Sequence, residues 1–93
     1  LLCCSALAYE TLKKGDSGYS VAALQYYLNV IAYFNSNLNL FPITEVFDDA
    51  TDNALKIFQA QYGLEPNGVA DRQTWDKIVS VYKDALESLP ENF

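Results

Sequence analysis

Asp48, Asp49 and Asp52 put three carboxylates into one short stretch, Ser80 and Lys83 stand in a Ser-x-x-Lys spacing, and Arg72 is the only arginine. Paired carboxylates can serve as general acid and base or hold calcium, a serine beside a lysine can be a nucleophile, and a guanidinium can fork onto a carboxylate. The spacings argue against most of this chemistry. A calcium loop needs acids at alternate positions, then a glycine and a distal glutamate, and this stretch lacks that order. Glycoside hydrolysis needs two carboxyls facing each other across a cleft, whereas these fall on one helical turn. Capping and compensation of the helix dipole account for them. Ser80-Val81-Tyr82-Lys83 has no Ser-Asp-Asn or Lys-Thr-Gly companion, so it matches by letters alone. Arg72 can meet a ligand carboxylate or pair at the surface with Asp48 or Asp71.

Histidine is absent, which removes the Ser-His-Asp and Cys-His pairs and histidine ligation of zinc. Cys3 and Cys4 are adjacent, too close for good disulfide geometry and too few for a structural zinc site. No catalytic residue, metal or cofactor is therefore expected. Twelve acidic residues against six basic give a net charge of -6, which disfavours a nucleic-acid partner. A hydrophobic share of 51% is ample for a core, and no apolar run reaches the length of a membrane span.

Two other groups of residues have binding potential. Tyr19, Tyr26 and Tyr33 recur at intervals of seven and so share a helix face. That face lies opposite the apolar positions and is expected to be exposed. Its rings, each an apolar plane with a polar tip, suit either a sugar or a protein surface such as the next domain of a tandem array. Gln25 and Gln59 sit at the margins of apolar helix faces, where an amide either meets a ligand or satisfies backbone groups of nearby loops. The second role is the more natural for a buried amide.

These side chains need three helices to position them. Val21, Leu24, Leu28 and Ile31 follow the three- and four-residue steps of a helix from about Gly18 to Phe34, with Asp16 or Ser17 as its cap. Asn35-Ser36-Asn37-Leu38-Asn39 then interrupts, and Leu40 to Phe47, with Pro42, reads as a long structured loop. Asp48 caps a second helix, whose face carries Thr51, Ala54, Leu55, Phe58 and Tyr62 and which Gly63 ends. Asp71 caps a third, with Trp75, Ile78, Val79, Tyr82, Leu86 and Leu89 as its stripe. Asp71 and Thr74 repeat Asp48 and Thr51, so the turn, the aspartate cap and the threonine three residues on occur twice. The fold class is all-α, a small three-helix bundle with a long loop between helices one and two, centred on Trp75, Phe58, Leu24 and Leu28.

The ordered set Leu12-Lys13-Lys14-Gly15-Asp16-Ser17-Gly18, Leu24-Gln25, Phe58-Gln59, Gly63-Leu64, Asn67-Gly68-Val69 and Thr74-Trp75 resembles the three-helix peptidoglycan-binding domain of bacterial cell-wall hydrolases such as amidases, carboxypeptidases and spore-cortex-lytic enzymes. The resemblance covers about Leu12 to Tyr82. The family commonly has Gly where this chain has Asp48 and Asp71, and Asp-Gly in place of Asn67-Gly68; Asp and Asn suit those caps and turns. The loop from Asn35 to Glu45 resembles a variant found in Firmicutes proteins that carry the domain in tandem.

The resemblance implies non-catalytic attachment to peptidoglycan, through its glycan or its stem peptide, outside the cell at the wall or in a spore envelope. Neighbouring domains of the same chain are the other expected partners, and a protein-interaction or pro-domain module is the alternative function. The candidate binding residues are Tyr19, Gln25, Tyr26, Tyr33, Asp48, Gln59 and Arg72, around a shallow groove where the loops before helices two and three meet the start of helix one. The expected domain is 12–89. It follows residues 1–11, a linker or a signal-peptide remnant with Ala6-x-Ala8 as its cleavage site, and precedes a tail at 90–93.

Overall fold

The fold is seen in a computed structural model that describes residues 10–34 and 38–87. Cys3, Cys4, residues 1–9 and 35–37, Leu89 and the tail at 90–93 lie outside the described residues.

The periodic segments form three helices, α1 (Tyr19–Tyr33), α2 (Asp49–Gln61) and α3 (Arg72–Glu87). The first packs mainly against α3 and more lightly against α2. Trp75, Phe58, Leu24 and Leu28 are at most 1% exposed, so the expected centre of the core is the observed one. Phe47, Leu55, Ile31 and Ile78 are the other large side chains packed with it, among smaller ones such as Val21 and Ala70. The outer stripe of α3 is less buried than its periodicity predicts. Tyr82 and Val79 are half-buried and Leu86 is exposed, because the helix extends past the elements that cover its first turns. No helix among the described residues is long and apolar enough to cross a membrane.

The helix starts differ from one another. Asp48 accepts a hydrogen bond from the Thr51 amide (3.1 Å) and Asp71 from the Thr74 amide (2.9 Å), as the repeated cap requires. At α1 the expected cap by Asp16 or Ser17 is not formed; the cap position is Gly18, which has no side chain to offer. Asp16 closes its own turn instead, accepting from the Lys13 amide at 2.9 Å.

That turn is engaged by both later loops. Leu12 and Ala70 exchange backbone hydrogen bonds, Gly15 donates to the Phe47 carbonyl, Phe47 to Asp16, and Gly18 to Glu45. Residues 12–18 thus tie the loop before α2 to the loop before α3. Upstream, the indole Nε1 of Trp75 donates to the Glu10 carbonyl at 2.9 Å, and Ser20 Oγ donates to the Glu10 carboxylate. Glu10 is thereby held against the first and third helices.

Candidate functional site

The two glutamines are interior residues. Gln25 is 0% exposed and Gln59 is 1% exposed. The Gln25 carbonyl accepts from the Thr44 and Glu45 amides, both at 3.0 Å, and its Nε2 donates to the Val46 carbonyl (3.0 Å) and to Thr51 Oγ1 (2.9 Å). Gln59 does the same for the next loop, accepting from the Gly68 amide and donating to the Val69 carbonyl and Thr74 Oγ1. Each amide replaces the hydrogen bonds that a turn leaves unmade, and among the described residues no buried side-chain polar atom lacks a partner. Burial leaves Gln25 and Gln59 almost no surface for a ligand to touch, so their observed work is the fixing of loops and not the contact with a ligand expected as one of their two roles.

The charged candidates are also engaged. The Asp48 carboxylate is held below its ordinary range, chiefly by the hydrogen bond from the Thr51 amide. It also accepts the Thr51 hydroxyl, so Gln25, Thr51 and Asp48 form one relay. Asp49 pairs with Lys14, whose ammonium is pushed up by that contact, and Asp52 pairs with Lys56 at 3.0 Å. The three acids diverge rather than converge. Arg72 pairs with Asp76, four residues along its own helix (3.3 Å), and not with Asp48 or Asp71. At i and i+4 those two side chains stand on the same helix face.

The tyrosine face is where the side chains remain presented. Tyr19, Tyr26 and Tyr33 are 66%, 49% and 75% exposed. Tyr19 and Tyr26 flank an open hollow of about 430 Å³ floored by Ala22 and Ala23 and closed by Tyr27 and Ile43. Tyr33 does not line it and stacks edge-on against Phe34 at the helix end (ring centroids 5.1 Å). Tyr26 is braced from behind: its ring contacts Tyr27 and Tyr82, and Tyr27 meets both Tyr82 and the core indole of Trp75 edge-on. The structure thus brings together two of the candidates and leaves Tyr33, Asp48 and Arg72 at other places.

The sequence reading passed over Ala22, Ala23, Tyr27 and Ile43. The alanines carry a signal, since they fall between Tyr19 and Tyr26 at the three- and four-residue steps of the same face. Ile43 carries none, because a loop has no period.

Residues 17–78 match the family model of the peptidoglycan binding domain. The chain belongs to that family. It is 36% identical over 83 residues to a zinc D-Ala-D-Ala carboxypeptidase from Streptomyces albus G, a match that takes in 89% of the chain but 31% of the carboxypeptidase. The chain thus spans about a third of that relative's length. Among solved structures it is similar to the SleB N-terminal domain, with a TM-score of 0.66 and 28% identity over 80% of this chain and 94% of that one. It is also similar to a peptidoglycan-binding protein from Clostridioides difficile solved with glutamine hydroxamate, with a TM-score of 0.67 and 32% identity over 81% of this chain and 44% of that one. The peptidoglycan-binding domain is thus a three-helix, all-α fold here, as the sequence resemblance implies.

Proposed function

We propose that this peptidoglycan-binding domain is a non-catalytic anchor that holds a larger protein to the bacterial cell wall from the outside. The observation that carries the reading is the use made of the polar side chains. Both glutamines and the capping aspartates are consumed in fixing loops, and no candidate acid faces another across a cleft. What the domain presents is a rigid surface rather than a reactive group. The carboxypeptidase relative supports the same arrangement, since this chain corresponds to a part of that enzyme. Single-domain affinity is expected to be modest, and attachment to neighbouring wall-binding domains would raise it through effective concentration.

The test is co-sedimentation of the domain with purified sacculi freed of teichoic acid, with vegetative sacculi and spore cortex run side by side. Sedimentation with the wall, without sustained release of reducing ends or amines, supports anchoring; absence of sedimentation refutes it, and sustained release refutes the non-catalytic part. Because the chain is acidic, screening is expected to tighten binding if repulsion from an anionic wall limits it. A protein-docking role is favoured by one feature, the exposed Tyr33–Phe34 pair at the end of α1, which lies outside the hollow.

A further inference from the structure

We infer that the hollow between Tyr19 and Tyr26 is a glycan subsite, which seats the uncharged sugar backbone of the wall rather than its stem peptide. The inference rests on the anchoring reading above and narrows it to one surface and one ligand chemistry.

The dimensions come from the helix. Two residues seven apart on an α-helix are separated by about 10.5 Å along the axis, a length filled by two sugar rings in a row. Ala22 and Ala23 lie between them, so the floor is a helix surface stripped to methyl groups, and a flat ligand can approach the backbone closely. Ile43 closes one side with a half-exposed apolar side chain. Tyr19 and Tyr26 contribute ring faces together with hydroxyl tips, which match a sugar's apolar faces and its hydroxyl rim.

Charge discriminates between the two components of the wall. The hollow is lined by Tyr19, Ala22, Ala23, Tyr26, Tyr27 and Ile43, none of them charged. A stem peptide ends in carboxylates and calls for a cation. Lys13, Lys14, Lys56 and Arg72 are each paired with an acid, Lys77 lies over the Tyr62 ring, and Lys83 is exposed beside Tyr82, but none of the six cations lines the hollow. A sugar chain needs no counter-charge.

Rigidity is the third argument. An exposed tyrosine ordinarily loses rotamer freedom when it stacks on a ligand. Tyr26 is already fixed, because its ring rests on Tyr27 and Tyr82 and, through Tyr27, on Trp75.

The experiment uses the 93-residue chain and three probes: intact sacculi, an uncharged β-1,4-linked N-acetylglucosamine oligosaccharide as the glycan, and stem peptides released from the wall. Wild type is expected to sediment with sacculi, and the glycan oligosaccharide is expected to shift the amide resonances of residues 19–27 and Ile43. The Tyr19→Ser/Tyr26→Ser variant should bind both probes roughly tenfold more weakly or worse, as loss of aromatic anchors does, while Tyr33→Ser binds as wild type. Wild type that sediments with sacculi yet ignores glycan, or answers only to stem peptides, overturns the inference and leaves anchoring standing. Resonance shifts elsewhere than the hollow, or a Tyr19/Tyr26 variant that binds as wild type, overturn it as well. A dimer that the same variant converts to a monomer assigns the face to a second copy of the chain and also overturns it. A wild type that fails to sediment removes the anchoring reading itself. The resonance map is read on wild type, so it decides the matter even if the double variant folds poorly.

Discussion

Gln25 and Thr51, twenty-six residues apart, are joined by a fully buried 2.9 Å hydrogen bond from amide to hydroxyl, and Gln59 and Thr74 repeat the bond at 3.1 Å. In each copy the glutamine reaches from one helix into the turn that precedes the next and grips the threonine in that next helix's first turn. The domain is thus two copies of one joint, sharing α2 between them.

The joint predicts the cost of breaking it. Gln25→Ala strands the Thr44 and Glu45 amides and leaves the Val46 carbonyl with the Thr44 hydroxyl alone, and Gln59→Ala strands the Gly68 amide and the Val69 carbonyl. Each group left unpaired and shut off from water costs about 1–3 kcal/mol. Water can reach some of these loop groups once the side chain is gone, so the loss for either variant is expected to be ~2–4 kcal/mol in urea unfolding. Gln25→Glu should be worse than an uncharged loss of one bond, since it buries a carboxylate against the Val46 carbonyl. Wall binding by the fraction that remains folded should be unchanged, because both glutamines are buried.

The aspartate caps predict a response to acid. Replacing Asp48 or Asp71 by Ala should each cost about 1 kcal/mol, and Asn should largely restore the loss. Asp48 has its carboxyl lowered from 3.8, so its contribution is fully present above that pH and disappears as pH falls through the lower folded value. Thermal unfolding between pH 5 and 2 should show a smaller acid-induced drop in Asp48→Asn than in wild type.

Two glycines predict unequal penalties. Gly63 and Gly68 both have positive φ (77° and 76°), so alanine is strained at either. A Cβ at Gly63 would enter open space, whereas at Gly68 it would run into the carboxylate of Asp52 and the Lys56 side chain. Gly63→Ala should therefore cost about 1 kcal/mol, the backbone strain alone. Gly68→Ala should cost more, roughly 2–3 kcal/mol, because it also displaces the Asp52–Lys56 pair. Chemical denaturation of the two variants side by side gives the comparison.

Tyr82 predicts the alkaline limb. Burial, followed by its hydrogen bond with Tyr26, pushes the phenol above 10.0. Its folded-state stabilisation is fully present below that pH and is lost as pH rises through the higher folded value, because the unfolded chain gives up the proton first. In an absorbance titration of the seven tyrosines, one phenol should ionise late and together with unfolding. Tyr82→Phe should remove that late step and flatten the alkaline loss of stability.

Much of the fold was legible before any coordinates. The apolar positions of α1, α2 and the first turns of α3 follow helical steps, and such spacing has few other uses in a chain this size. The caps at Asp48 and Asp71 were legible too, because capping is decided by the residue itself and the amides two and three places on. Where the reading failed, long-range contact had overridden a local preference. Asp16 and Ser17 are good caps in isolation, but backbone pairing of residues 15–18 with Glu45 and Phe47 leaves Gly18 at the cap of α1.

The sequence by itself determined the helices, the core, the repeated cap and the membership of a peptidoglycan-binding family, since all of these depend on residues near one another in the chain or on their order. Only the tertiary structure decided which candidates share a place. Tyr19, Tyr26 and Tyr33 are equivalent by spacing, yet a loop residue, Ile43, closes a hollow against the first two and leaves the third beside Phe34. Arg72 turned to Asp76 and the glutamines turned inward for the same reason: a side chain's partner is chosen among all groups within reach in space, and periodicity gives a face without giving what is packed beside it.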